Sequence, residues 1–398
     1  MKPVPSRGRT LLFAYLLALL PAGMTPVTVS LEVMSPGEVD SFIAPLFEDE
    51  TVPRAEYSVT IRELVVSSRY PDGTPTDVRV QLFLPDMPAG DVRGVYLFAP
   101  GSTGLIGPCR ASREHVAGIR WGLYRAHVLA FAGQGLIGIL PDYIGFEDAH
   151  QVQPYFHAES EARIIFDSIH HIHKVLEAGG EHFPLGLAPY TRVAGGFSQG
   201  GHAVFAAADH NRFFGGEMPL HGVIGYGATT EIPPLFLTFP PLAPMILEAY
   251  RTIYGEERFD PRKILRTEWA ETLTYDTTRQ CVGGIQNYYP GDPALLFRES
   301  FLTSLRAGTL DRTHPSIAAI FHENATGLTR HGVPALILQG SDDIVVFPAT
   351  QKEFVRELRA RGNPVDYRLY ENTRHDTRQR SFVDVLEWID RLPGNSAR

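Results

Sequence analysis

The sequence predicts an α/β fold: a mainly parallel sheet with helices on both faces and an inserted, largely helical cap. Short apolar runs alternate with helix-length amphipathic stretches, which is the rhythm of a parallel sheet covered on both sides. That rhythm stops near residue 228 and resumes near residue 331. The stretch between is too long for a bare loop and must fold on its own account.

Residues 31–55 are mixed and weakly patterned, and read as an N-terminal arm. Residues 57–66 and 78–84 are rich in β-formers. Tyr70-Pro-Asp-Gly-Thr between them carries turn chemistry, so a hairpin is expected. Residues 94–99 are an apolar run ending at Pro100-Gly101, in the manner of a buried strand. Residues 113–133 are helical in pattern, and residues 136–140 are a second buried strand. In residues 159–177, Ala162, Ile165, Phe166, Ile169, Ile172 and Leu176 recur at spacings of three and four, which marks an amphipathic helix. Residues 192–197 are strand-like, 198–209 helical and 221–226 strand-like. Past the interruption, 334–339 and 365–370 read as strands, 349–361 and 379–392 as helices. The body therefore comprises 31–227 and 331–398, and the cap 228–330.

At the N-terminus, Lys2, Arg7 and Arg9 lead into the uncharged run 11–20, broken by Pro21, Ala22 and Gly23. This fits a secretory signal peptide over residues 1–24, although no clear A-x-A site fixes the cleavage. The run falls short of the ~20 apolar residues of a membrane span. An uncleaved membrane anchor is the other reading. Residues 232–247 are apolar but hold five prolines, which cannot sit in one regular helix.

Composition excludes several classes. A net charge of −9 with no Lys/Arg cluster argues against nucleic acid as partner. Two cysteines cannot build a Cys-ligated zinc site or a disulfide-rich scaffold. In an exported chain Cys109 and Cys281 can form one bridge; two unlinked thiols are the other reading. His170, His171 and His173 suggest a metal, but no partner stands at ligand spacing, so no metal is expected. Asn324-Ala-Thr matches a glycosylation acceptor, relevant only in a eukaryotic secretory host.

The sharpest motif is Gly196-Phe197-Ser198-Gln199-Gly200, with a strand before it and a helix after. A G-x-S-x-G turn of this kind exposes its serine on a strained bend, and larger neighbours would clash. Ser198 is the expected nucleophile. A serine hydroxyl needs a base, and the base should lie late in the chain. His375 is the only histidine after His331 and lies between the last strand and the last helix. The acid should follow the strand 334–339, where Asp342 and Asp343 compete. The G-x-x-D spacing and the apolar run that follows select Asp343, with Asp342 as runner-up. Two N–H donors must hold the tetrahedral oxyanion. The backbone N–H of Gln199 is one. The other is expected from the loop Pro100-Gly101-Ser102-Thr103-Gly104, at Ser102 or next at Thr103.

These segments resemble an α/β-hydrolase, and within that superfamily the secretory lipases typified by Candida antarctica lipase A. The resemblance spans about residues 90–392 and rests on residues 100–113, 141–146, 195–203 and 340–346. Asp142, Tyr143 and Gly145 match the family's D-Y-x-G. Its H-G-T-T-G-like segment is here PGSTG, with Pro100 for the histidine, and its Cys-Ala-Pro-Ser is here Cys109-Arg-Ala-Ser. The resemblance implies a helical cap and hydrolysis of lipid esters, without a cofactor.

The expected function is thus that of a secreted serine carboxylester hydrolase, a lipase or esterase, acting on apolar acyl esters. The proline-rich run 232–247 could line an acyl tunnel or face a lipid surface in transient contact; packing within the protein is the other reading. Leu235, Phe236 and Phe239 from that run, with Thr103 and Phe197, are the expected substrate contacts. A peptidase, thioesterase or acyltransferase using the same three residues is the alternative, and a catalytically inactive binding protein a further one.

Overall fold

The computed structural model describes residues 28–47, 50, 52–114, 121–179 and 183–393. The expected signal sequence lies outside these residues, as does the middle of the expected helix 113–133, of which Tyr124–Gly133 is described.

Among the described residues nine strands form one sheet: β1 (Thr28–Met34), β2 (Val59–Arg69), β3 (Pro75–Pro85), β4 (Gly94–Ala99), β5 (Leu136–Pro141), β6 (Arg192–Phe197), β7 (Gly222–Tyr226), β8 (Ala335–Gly340) and β9 (Val365–Tyr370). Their spatial order is β1-β2-β3-β5-β4-β6-β7-β8-β9. The three N-terminal strands pair antiparallel, and the six from β5 to β9 run parallel. Each residue of β4, β5, β7 and β8 is buried, as continuous apolar runs between two helix layers require. The β2–β3 hairpin closes through Gly73 at φ 87°, with the Thr74 N–H on the Asp72 carboxylate at 2.8 Å.

The N-terminal arm is more ordered than its pattern suggests. It supplies β1 and the helix Pro36–Ile43, whose Val39 and Ile43 are buried. β1 escapes sequence reading because its described side chains from Val29 to Val33 are all exposed, so no face alternates.

Between β7 and β8 the described elements are all helical. The five prolines of residues 232–247 break the run into three pieces. Pro233 and Pro234 lie in the first turn of the helix Ile232–Thr238, Pro240 and Pro241 in a single 3₁₀ turn, and Pro244 in the first turn of Ala243–Tyr254. A first turn tolerates proline because its N–H groups have no partner within the helix. The apolar side chains of this insertion gather into their own core, which also takes in Leu105, Tyr155 and Phe156 from the body.

Cys109, in the loop after β4, is bonded to Cys281 of the insertion, with Cα atoms 5.4 Å apart. Beside it, Gly104 pairs with Cys281 as an isolated bridge, and the Val282 N–H donates to the Thr103 carbonyl at 2.8 Å. Replacing both cysteines by alanine should cost about 2–5 kcal/mol of stability, read as a lowered melting temperature. An unchanged melting temperature would show that the bridge constrains nothing.

Candidate active site

β4 and β6 are neighbours at the point where strand order reverses, with Ala99 opposite Gly196. Their carboxyl ends therefore open into one crevice, the usual ligand position in such sheets. Ser198 follows β6 directly. Its backbone sits at φ 54° and ψ −111°, a conformation that L-residues rarely adopt. Its N–H donates to the Tyr226 carbonyl at 3.0 Å, and its own carbonyl accepts from Gly201 and Thr229 at 2.9 and 3.2 Å. The glycines around it leave no room for a side chain. A Cβ on Gly196 would lie 1.9 Å from the Gly200 oxygen, and one on Gly200 would lie 2.0 Å from the Ala99 oxygen.

Gly200 thus presses the helix Gln199–Phe214 against the end of β4. The loop after β4 is fixed from several sides. The Tyr143 hydroxyl donates to the Pro100 carbonyl at 2.7 Å, and the Tyr155 hydroxyl bonds the Ser102 hydroxyl at 2.5 Å. A Cβ on Gly101 would meet both the Phe197 ring and the Tyr124 hydroxyl at 2.8 Å. The loop therefore lies against the residue just before Ser198.

The loops after β8 and β9 meet across the crevice. Asp343 is buried; its Oδ1 accepts the N–H groups of Val345 and Val346 at 2.8 and 2.9 Å. Its Oδ2 stands 2.8 Å from His375 Nδ1, with the Gln339 amide donating at 3.2 Å. Asp342 is exposed and bonded to the Ser341 hydroxyl, so the runner-up carboxylate faces away. Its N–H donates to the Thr373 carbonyl at 2.9 Å, which joins the two loops. His375 packs over Gly227, where a Cβ would approach its Nδ1 to 2.9 Å, and against the Phe197 ring at 4.9 Å. Gly227 follows Tyr226, the residue that holds the Ser198 N–H. His375 Nε2 is buried and, among the described residues, without a hydrogen-bond partner. No hydrogen bond joins it to the Ser198 hydroxyl among the described residues.

Beneath this pair lies Arg378, fully buried. It is clamped by Asp376 at 2.5 and 2.9 Å, donates to the Gly122 carbonyl at 2.6 Å, and stacks 4.7 Å from the Phe197 ring centroid. Asp142 is buried too, and holds the Ser112 N–H and hydroxyl at 2.9 and 2.5 Å. Burial pushes its carboxyl up to about 7, against the lowering effect of those two bonds.

Three comparisons bear on this arrangement. No protein-family profile and no curated protein matches the sequence. Solved structures do match. The rice cell wall degrading esterase LipA from Xanthomonas oryzae superposes with a TM-score of 0.72 at 16% identity, over 94% of this chain and 99% of its own. The chain has the α/β-hydrolase fold. A putative hydrolase from Legionella pneumophila gives 0.68 at 16% identity, over 92% and 98%. Candida antarctica lipase A in its closed state gives 0.62 at 15% identity, over 91% and 80%.

In this fold the loop holding Ser102 and the loop holding His375, which is bonded to Asp343, both pack on Phe197, next to Ser198 and Gln199. Thr103 is buried, with its carbonyl engaged by the insertion. Phe197 is half-buried between His375 and Arg378, and so props the histidine. Phe236 departs from the expected substrate contact. It is fully buried and packs on Phe297 and Phe321, both at 5.5 Å, because the insertion needs its own apolar centre. Phe239 is half-buried against that same centre. Leu235 lines a cavity with Thr229, Val345 and Val346 that measures about 20 Å³, room for roughly one water molecule.

The three clustered histidines make local bonds: His170 to the Phe214 carbonyl, His171 to the Asp167 carbonyl, and His173 from the Leu187 N–H. Asn324 is buried, with its amide nitrogen on the Tyr254 hydroxyl and the Ile320 carbonyl, so its acceptor sequence is not open to a glycan.

The raised Asp142 carboxyl makes a signed prediction. The folded state binds this proton up to about pH 7 and the unfolded chain only to about pH 4, so stability falls as pH rises through that window. Asp142→Asn should flatten the fall in melting temperature between pH 5 and 7. A slope equal to that of the parent would contradict the assignment.

Proposed function

We propose that this protein is a serine carboxylester hydrolase acting on apolar acyl esters. The observation that carries the reading is the His375–Asp343 pair packed on Phe197 and Gly227, which flank the Ser198 turn, with the His375 Nε2 unbonded among the described residues and left to take a proton. The esterase and lipase among the structural neighbours support it.

In this reading the Ser198 Oγ attacks the ester carbonyl carbon while His375 Nε2 takes its proton. Asp343 holds the Nδ1–H and steadies the imidazolium. The N–H groups of Gln199 and Ser102 receive the oxyanion. His375 then protonates the departing alcohol, and water releases the acyl group by the reverse sequence. No step calls for a cofactor.

Export to an oxidising compartment fits the Cys109–Cys281 bridge and the N-terminal leader pattern. Brief contact with a lipid surface is supported by Ile344 and Phe347, 69% and 45% exposed beside Asp343.

The test is hydrolysis of p-nitrophenyl esters from acetyl to palmitoyl. Ser198→Ala should abolish turnover, and Asp343→Asn should lower kcat by about 10³ to 10⁴-fold. A rate that survives Ser198→Ala would refute the mechanism. No ester turnover beside cleavage of peptide amides or thioesters would move the same three residues to another reaction.

A further inference from the structure

Between the nucleophile helix and the helix Ala158–Ala178 lies a cluster of polar side chains that the proposed reaction does not use. Glu161 is 1% exposed and His202 and Gln199 are 0% exposed. His202 Nε2 stands 2.6 Å from the carbonyl oxygen of Asn324, which can only accept, so Nε2 carries a proton. His202 Nδ1 stands 2.5 Å from Glu161 Oε2, which needs one more proton, on the imidazole or on the carboxyl. The other carboxyl oxygen, Oε1, accepts from the Gln199 side-chain amide at 2.8 Å and from the Phe156 N–H at 3.1 Å.

These partners share one address. Gln199 carries the N–H that follows the nucleophile. Its side-chain oxygen is buried without a partner among the described residues, so the bond to Glu161 is what holds the amide. Phe156 has a left-handed backbone, φ 57°, and its N–H is fixed by Glu161. The adjacent Tyr155 bonds the Ser102 hydroxyl. The Phe156 carbonyl in turn accepts from Tyr250 of the insertion at 2.7 Å. Asn324, at the far end of the insertion, is held by His202 and by the Ala158 N–H at 3.0 Å.

We propose that Glu161 and His202 are a buried positioning pair that sets both oxyanion donors and ties them to the end of the insertion at Asn324. This rests on the ester-hydrolase reading. A bare fold requirement would be met at lower cost by apolar side chains, since a buried polar pair is weak support for stability. A carboxyl bonded to the nucleophile's neighbour has a use that apolar packing cannot supply.

The experiment compares Gln199→Ala, Glu161→Ala, Glu161→Gln and the Glu161→Ala/Gln199→Ala double variant on a short p-nitrophenyl ester. Gln199→Ala keeps the peptide N–H but loses the tether. It should lower kcat by about 10- to 100-fold with KM within about twofold, because a shift of about 1 Å in a donor is that costly. Glu161→Ala should do the same, and the double variant should be no worse than Glu161→Ala, since both cut one connection. Glu161→Gln can accept from Gln199 and Phe156 and donate to neutral His202. It should recover most of the kcat that Glu161→Ala loses. Wild-type kcat in folded Gln199→Ala or Glu161→Ala, or losses that multiply in the double variant, would overturn the proposal. Should Glu161→Ala not fold, Gln199→Ala and Glu161→Gln still decide it. Failure of the ester-hydrolase reading would instead appear in the parent protein, as turnover that Ser198→Ala does not remove.

Discussion

The structure depends on holding one serine in a conformation that serine disfavours. A non-glycine residue at φ 54° and ψ −111° costs of the order of 1–3 kcal/mol and persists only where its surroundings over-determine it. Here they do. The Ser198 N–H is taken by β7, its carbonyl by the helix that follows and by Thr229, and Gly196 and Gly200 allow contacts that any side chain would forbid. The glycines of the motif are needed because backbone meets backbone at those places, one of them being the end of β4.

From that constraint the rest of the crevice follows. Packing Gly200 on Ala99 brings the loop after β4 beside Ser198, and Tyr143, Tyr155 and the Cys109–Cys281 bridge fix it there. The same bridge attaches the insertion to this loop, as does the Val282 N–H on the Thr103 carbonyl. On the opposite wall, the loops of Asp343 and His375 are bonded to each other before they are bonded through the imidazole. Arg378 underpins the histidine by stacking on Phe197, whose ring supports His375.

Much of this was legible in the chain, for identifiable reasons. β4, β6 and β9 begin and end where the sequence places them; for β4 the reason is a fully apolar run stopped by Pro100 and Gly101. The G-x-S-x-G glycines and the acidic loop after β8 carry local signals. What could not be read depends on distant packing. β1 has no buried face to betray it. The insertion's short helices share a core assembled from many separated residues, and so Phe236 belongs to that core. Asp343 and Asp342 are adjacent in sequence, and only the turn after β8 decides which meets His375. Glu161 did leave a trace: it sits four residues before Ile165 on the apolar stripe of its helix, where an unpaired carboxylate would be costly. Arg378 left none.

In the proposed reaction His375 and Asp343 activate Ser198 as the nucleophile. The most direct test of that activation is reaction of the protein with a fluorophosphonate, followed by intact mass and peptide mapping. One adduct per chain is expected, on the peptide holding Ser198 and formed far more slowly in His375→Ala. Labelling elsewhere, or labelling at an equal rate without His375, would contradict it.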